Sequence, residues 1–258
     1  GMYEDADKRA QEGRFFNEFA DFAERHREAL DAISQRTGLE YIGIDCAETR
    51  DGELLMAWPD ASNAAVDVSG WKVHGMRATV TGTVDFDGIE VRSDELFGEH
   101  DDYHRQPTLS AGAWRFVAAQ LGAIAALVEL MRDSLLAGHR DGDPHQRARL
   151  ADAAMLVETG RLWTYAAAVH AETVDVAVEG ATVYGGMARL TVERAGMAGI
   201  DLVQRSLGLR SMMTGDPVER IVRDLATYLR QPVPDAIRDA VAGRVLAKGA
   251  SLLEGWAP

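Results

Sequence analysis

Large apolar residues recur every three or four positions along the second half of the chain, beginning in the stretch 109–138. Between Ala111 and Val128 the only charged or amide side chains are Arg115 and Gln120. The large apolar residues of the stretch are Val117, Leu121, Ile124, Leu127, Met131 and Leu135. Their spacing is that of one helix face, and a helix that is apolar almost all round needs other helices to cover it. The pattern predicts one long buried helix inside a bundle.

Three later stretches predict the helices that cover the first one. A second helix begins at Pro144 with Asp143 as its cap. Its repeat comprises Ala151, Met155, Glu158, Leu162, Tyr165 and Val169. A third helix is expected over 177–209, with Gly185-Gly186 kinking or loosening it. A fourth opens after Asp216 with a proline in its first turn, and a shorter helix over 235–248 closes the chain.

The first hundred residues carry a different pattern. Phe, Leu and Ile residues at helical spacing among many charges predict a helix over 5–37. Asp51-Gly52 is a strong cue for a β-hairpin. The strand signals lie in 41–46, 53–58, 71–74 and 79–91. They predict a small β region between the first helix and the bundle.

The predicted fold class is therefore α+β, with a small antiparallel β region followed by an antiparallel four-helix-bundle domain. Three domains are expected along the chain. They are an N-terminal helical segment over 1–38, a partial β domain over 39–107 and a C-terminal helical bundle domain over 108–258.

Composition limits the partners and the compartment. The net charge of −14 argues against nucleic acid and anionic membranes, because both bind proteins through Lys and Arg. The single cysteine, Cys46, excludes an intrachain disulfide, favours a reducing cytoplasm and is expected to be a buried core thiol. No signal peptide and no membrane-spanning run are recognised. His100 and His104 lack a third ligand, so no metal site is predicted.

Three segments resemble the acyl-CoA dehydrogenase family. The stretch 70–79, GWKVHGMRAT, is similar to the family's G-M-R-(A/G)-(S/T) turn, and 82–91, GTVDFDGIEV, is similar to its V-x-F-x-x-V strand. The stretch 217–224, PVERIVRD, is similar to its closing P-x-E-R-x-x-R-D segment. The resemblance runs from about residue 52 to residue 234 and implies the family's helical domain.

The resemblance implies flavin chemistry on acyl thioesters, in which a glutamate takes the α-proton and the flavin N5 takes the β-hydride. The usual glutamate position falls on Gly215 or Thr214, and an alternative base position falls on Trp114. None of these three residues can act as a carboxylate base. Asp216 is the nearest acid and the catalytic candidate, with a helix cap as its structural alternative.

The same resemblance implies FAD as cofactor and three residues that bind it. Arg140 falls on the arginine that reaches the flavin pyrophosphate of a neighbouring subunit, and its guanidinium suits phosphate oxygens. Gln204 and Gly208 lie in a segment similar to the family's Q-x-x-G-G stretch. The family's N-terminal helical domain and its (Y/W)-C-(S/T)-E-P segment have no counterpart before residue 52. Leu229-Arg230-Gln231-Pro232 replaces its E-G-T segment.

These departures leave three hypotheses open. The first is a divergent or truncated flavin-dependent oxidoreductase acting on an acyl-CoA or similar substrate, where oxygenation by the flavin needs no carboxylate base. The second is a non-catalytic helical assembly module that has lost the flavin site. The third is an ATP-grasp-like remnant, because 41–58 is similar to the strand–turn–strand of those ligases, with Trp58 and Asp60 at the magnesium-binding positions.

All three hypotheses share the expectation of a homo-oligomer, either a dimer or a tetramer. The helical domain of the resembled family builds the centre of a tetramer. Phe116, Trp163 and Tyr165 would also leave apolar surface to be covered.

Overall fold

The structure is a computed structural model that describes residues 46–48, 54–59, 62–104, 111–172, 178–231, 233–247 and 251. The predicted helix over 5–37, the Asp51-Gly52 turn and the Cys46 side chain lie outside the described residues. Contacts between Cα atoms divide the chain into two units. One comprises 1–70 and 81–105, and the other comprises 71–80 and 106–258.

Short antiparallel strands form the first unit. The strands are β1 (Cys46–Glu48), β2 (Leu54–Ala57), β3 (Ala65–Asp67), β4 (Thr83–Asp85) and β5 (Leu96–Phe97). β2 lies between β1 and β5 in a three-stranded sheet, while β3 and β4 form a separate two-stranded sheet. Cys46 pairs with Met56, which is the antiparallel pairing expected of the predicted hairpin. The predicted β region is confirmed, with shorter strands than the sequence indicates.

Helices form the second unit. They are α1 (Trp114–Ala137), α2 (Pro144–Glu172), α3 (Val178–Leu207), α4 (Pro217–Tyr228) and α5 (Pro234–Leu246). The first three contact one another, α4 packs mainly on α1, and α5 packs on α3. A helical bundle with a small antiparallel β region is the predicted fold class.

Helix α1 is the centre of this unit, as its sequence predicts. Val117, Ile124, Leu127, Met131 and Leu135 are all at most 1% exposed and form one cluster with residues of α3 and α4. By length and composition α1 would also qualify to cross a membrane, the one such helix in the described part of the chain. Burial of its large side chains against other helices is the behaviour of a bundle core helix.

Helix α2 begins as predicted but turns its repeat outward. The Asp143 carboxylate accepts hydrogen bonds from the backbone N–H groups of His145 and Gln146, at 2.8 and 3.2 Å, and so caps the helix. The side chains that α2 buries are small or polar, namely Ala153, Gly160, Thr164, Ala167 and His170. Met155, Leu162 and Tyr165 are 60, 53 and 67% exposed.

The glycine pair in α3 does not interrupt that helix, which corrects the predicted kink. Gly185 and Gly186 are buried within a continuous helix from Val178 to Leu207. A Cβ on Gly186 would lie 2.7 Å from Cγ2 of Ile237 on α5. The missing side chain therefore allows the close approach of α5, and packing offsets the low helix propensity of glycine.

The segment 71–80 belongs with the helices and not with the β region, which corrects both the predicted strand at 71–74 and the predicted domain assignment. The backbone N–H of Met76 donates to Asp224 Oδ1 at 2.8 Å, and that of Gly75 donates to Thr227 Oγ1 at 3.1 Å. A Cβ on Gly75 would collide with the carbonyl oxygen of Arg223. Side chains of α4 thus take the hydrogen bonds that a neighbouring strand would have taken.

Candidate functional site

Arg140 lies at the end of the bundle where α1 and α3 both finish. Helix α1 ends at Gly138, and the turn that follows exposes the Arg140 side chain. Its Nη1 donates to the backbone carbonyl of Ser206, 3.2 Å away in the last turn of α3. Ser206 is buried, and its Oγ donates to Gln146 Oε1 at 2.6 Å. A cation at a helix C-terminus is favourable because the last carbonyls lack helical partners.

Arg210 and Asp216 lie at the same end. Arg210 Nε donates to Asp216 Oδ2 at 2.8 Å, and Arg210 Nη1 donates to Ser134 Oγ at 3.2 Å. Asp216 Oδ1 accepts from the backbone N–H of Val218 at 2.9 Å. The bond from Arg210 and then the one from Val218 lower the pKa of the Asp216 carboxyl. This geometry is that of the helix cap, and a catalytic role for Asp216 stays a prediction.

Gln204 and Gly208 complete this end of the bundle. Gln204 Nε2 lies 3.5 Å from the sulfur of Met212. Gly208 has a φ of +62°, which a glycine adopts without strain, and begins a short 3-10 turn that ends at Met212. Nothing lies within 4 Å of where its Cβ would be. The structure therefore brings the four predicted site residues to one end of the bundle, hereafter the Arg140 end (Arg140, Gln204, Gly208, Arg210 and Asp216).

Trp114 lies at the opposite end of α1. Arg210 contacts Ser134, twenty residues further along the same helix, which corresponds to about 30 Å. Trp114 Nε1 donates to Glu172 Oε1 at 3.3 Å, and Arg115 pairs with the same carboxylate at 3.0 Å. Trp114 and the Asp216 region therefore cannot mark one and the same base position, which corrects the expectation that they are alternatives.

Arg140 differs from the other arginines described above in its charge balance. Arg210, Arg223 and Arg230 form ion pairs with Asp216, Glu219 and Glu193, respectively. Among the described residues no carboxylate pairs with Arg140, whose one side-chain hydrogen bond goes to a neutral carbonyl. An exposed guanidinium with unused donors fits the oxygens of a phosphate. The described residues contain no group of three His, Cys, Asp or Glu side chains placed to hold a metal ion.

Comparison with known proteins identifies the fold. The FMN-bound TdsC from Paenibacillus sp. superposes with a TM-score of 0.65 at 20% identity, over 83% of this chain and 62% of that one. The acyl-CoA dehydrogenase from Slackia heliotrinireducens superposes with a TM-score of 0.60 at 17% identity, over 81% of this chain and 57% of that one. The chain has the acyl-CoA dehydrogenase fold. The resemblance seen in the sequence is confirmed.

Sequence comparison finds a relative that uses the acyl-CoA dehydrogenase fold for a different named reaction or is named for one. L-evernosamine nitrososynthase from Micromonospora sp. is 30% identical over 216 residues, which are 76% of this chain and 51% of that protein. The chain thus spans about half the length of this curated relative. A scan against models of known protein families finds no match.

Sequence reasoning missed Arg210 and Ser206 as parts of this site. Ser206 contributes its backbone carbonyl to Arg140, and any residue type could do so, hence no sequence signal marks it. Arg210 contacts Ser134, a residue 76 positions earlier in the chain, which no local pattern reveals. The predicted ATP-grasp-like ligand position at Asp60 lies outside the described residues.

Proposed function

We propose that this protein is a flavin-dependent oxidoreductase that carries out monooxygenation of a small molecule. The observation that carries the proposal is the exposed Arg140 guanidinium, which no described carboxylate neutralises, at the end of a bundle with the acyl-CoA dehydrogenase fold. The FMN-bound TdsC and the nitrososynthase, the proteins to which this chain is similar, support flavin-linked oxidation.

Arg140 would hold a phosphate of the flavin, with Gly208 and Gln204 beside it. The remaining N–H donors of Arg140 would bind the phosphate oxygens, and the open space around Gly208 would let the ligand approach the backbone. When bound, the flavin supplies the redox chemistry, and the protein supplies its binding and orientation. FAD is the cofactor that we propose, with FMN as the second arm of the test.

Oxygenation suits the residues better than acyl-CoA dehydrogenation does. Gly215, Thr214 and Trp114 occupy the positions at which the sequence resemblance expects a carboxylate base. Asp216, the nearest acid, has both oxygens engaged and a lowered pKa, so it is a poor proton acceptor. The relative named as a nitrososynthase supports an amine as the substrate class.

The two reactions differ in what reduces the flavin. A dehydrogenase flavin is bleached by its acyl-CoA substrate without oxygen, whereas an oxygenase needs an external reductant and then consumes oxygen. We expect the protein, purified with FAD or FMN present, to show flavin absorbance near 450 nm at about one flavin per chain. Bleaching by an acyl-CoA would contradict the oxygenase assignment. A colourless protein would contradict flavin binding altogether and would favour the non-catalytic assembly module.

Arg140→Ala tests the phosphate contact directly. Because a hydrogen bond to a charged group contributes about 1.5–3 kcal/mol, we expect flavin affinity to fall at least about tenfold. Arg147→Ala is the matched control, since Arg147 is an exposed arginine in the first turn of α2 outside the Arg140 end. Flavin titration by fluorescence measures both variants. Equal affinities for the two variants would remove Arg140 from the site.

The remaining proposals concern compartment and assembly. The single cysteine and the net charge of −14 support a cytoplasmic protein. Exposed Tyr165 and half-buried Phe116 and Trp163 support a homo-oligomer. Light scattering from the purified protein tests the second proposal, and a strictly monomeric particle would contradict it.

A further inference from the structure

The outer face of α2 carries an apolar stripe that no helix of the described chain covers. The stripe consists of Ala151, Met155, Leu162 and Tyr165, with Glu158 and Arg161 at its middle, and all six are exposed. From Ala151 to Tyr165 it extends about 21 Å along the helix. Glu158 and Arg161 bind each other through two contacts of 2.7 Å. Exposed apolar surface of this kind marks an interface.

The order of residues along the stripe makes it complementary to itself. Met155 and Tyr165 lie five positions on either side of residue 160, and Glu158 and Leu162 lie two positions on either side. When a second α2 is laid antiparallel about an axis beside residue 160, Met155 of each copy lies opposite Tyr165 of the other. Leu162 then lies over the aliphatic stem of Glu158. Thioether-to-aromatic contacts of this kind are favourable.

The charges of the stripe match in the same register. Arg161 of one copy lies opposite position 159 of the other, next to Glu158 of that copy. The four charges then alternate around the axis, two positive and two negative, and remain balanced when water is excluded. A partner without this balance would leave an unpaired charge at the centre of the contact, which is costly. Charge and shape together select a second copy of this chain as the occupant.

We propose that two copies of this protein associate through this stripe, with their α2 helices antiparallel about a two-fold axis beside residue 160. The inference rests on the proposal that the chain forms a homo-oligomer and adds the helix, its direction and its register. It is independent of the flavin, because assembly and flavin uptake are measured separately. A dimer of this kind is isologous, so each contact occurs twice.

Cysteine crosslinking tests the direction and register. In a Cys46→Ser background, M155C/Y165C places the two thiols opposite each other between copies, whereas within one helix they are about 15 Å apart, too far to bridge. We expect this double variant to form a species of twice the chain mass under mild oxidation, which a reductant dissolves. M155C and Y165C alone are the matched controls and should stay uncrosslinked, because neither position faces itself.

Several outcomes would overturn the inference. Crosslinking of either single variant would indicate parallel helices, and a dimer by light scattering with no crosslink in the double variant would place the contact on another face. A monomer at all concentrations would overturn it even if flavin binds. As a second measurement, E158R should weaken the dimer at least about tenfold and E158R/R161E should restore it. Restoration separates the proposed pairing from a loss of folding, which thermal unfolding of each variant also monitors.

Discussion

Helices α1 and α2 carry the same kind of apolar repeat and use it in opposite ways. In α1 the large residues of the repeat, such as Leu127 and Met131, are at most 1% exposed. In α2 the corresponding residues, such as Met155 and Leu162, are more than half exposed. Periodicity therefore identifies an apolar face, but it does not say whether that face contacts the rest of the chain or something outside it.

The reason for the difference lies on the inner face of α2. Gly160, with Ala153 and Ala167 on the same side, is buried, and a Cβ on Gly160 would lie only 2.8 Å from Cδ1 of Leu121 on α1. The small residues of α2 form the surface into which the large residues of α1 project. A helix that receives large side chains in this way has its own large residues left for the outside.

The largest expected effect separates the two repeats directly. Leu127→Ala in α1 should lower the free energy of unfolding by about 2–5 kcal/mol, because it leaves a cavity in the core. Leu162→Ala in α2 removes the same atoms from a half-exposed position and should cost less than about 1 kcal/mol in the monomer. Urea unfolding at low protein concentration measures both losses. Similar losses would contradict the contrast between the two helices.

A second prediction fills the close contact between the helices. Gly160→Leu should lower the free energy of unfolding by about 1–3 kcal/mol, because the new side chain overlaps Leu121. Gly122→Leu is the matched control. Nothing lies within 4 Å of a Cβ at Gly122, so removing a helical glycine there should be neutral or stabilise by up to about 1 kcal/mol. Thermal unfolding ranks the two variants, and a tolerated Gly160→Leu would refute the close packing of α2 on α1.

A third prediction concerns the polar residue within the buried stripe of α1. Gln120 is 1% exposed, and its Nε2 donates to the carbonyl of Tyr228 at 2.9 Å, whereas its Oε1 has no hydrogen-bond partner among the described residues. The Tyr228 carbonyl also accepts from Gln231 Nε2 at 2.8 Å. Gln120→Met should therefore change the free energy of unfolding by no more than about 1 kcal/mol, in contrast to Leu127→Ala. A loss comparable to that of Leu127→Ala would show that the amide is essential to the core.

The smallest expected effect is a pH dependence on the inner face of α2. Burial, followed by the positive charge of Arg244, lowers the pKa of His170, which stacks on Tyr184 with ring centroids 3.9 Å apart. As the pH falls below about 6.5, the unfolded chain takes up a proton at this position that the folded chain resists. Stability is thus complete above that pH and declines toward the lowered pKa.

His170→Phe should flatten this decline, since it keeps an aromatic ring against Tyr184 and removes the titrating group. His145→Gln on the exposed first turn of α2 is the control and should leave the decline unchanged. Thermal unfolding from pH 7.5 to pH 5 measures the slopes. If His170→Phe and the parent protein show the same slope, another group is responsible.

Much of the bundle could be predicted because its signals are local. The Asp143 and Asp216 caps, the prolines that follow them and the buried repeat of α1 all occur where the sequence predicts. The glycine pair of α3 could not be interpreted in this way, because the reason for Gly186 is Ile237, about fifty residues later in the chain. Likewise, 71–80 has the composition of a strand, but its hydrogen-bond partners are the α4 side chains Asp224 and Thr227.

The candidate site divides in the same manner. The resemblance identified Arg140, Gln204, Gly208 and Asp216 as separate points in the sequence, and the structure shows that they share one end of the bundle. Only the tertiary structure shows that Asp216 pairs with Arg210 and that Trp114 lies about 30 Å away along α1.

The sequence by itself determined the helices, their ends and the fold class, because hydrophobic period and capping act within a few residues of the chain. Tertiary structure decided which face of each helix is buried, which arginine keeps an unpaired charge and where the segment 71–80 lies. These outcomes depend on the shape and hydrogen-bonding groups of partners that are distant in the sequence. For α2 in particular, the small residues facing Leu121 decided the core, and the large residues were left for a second copy.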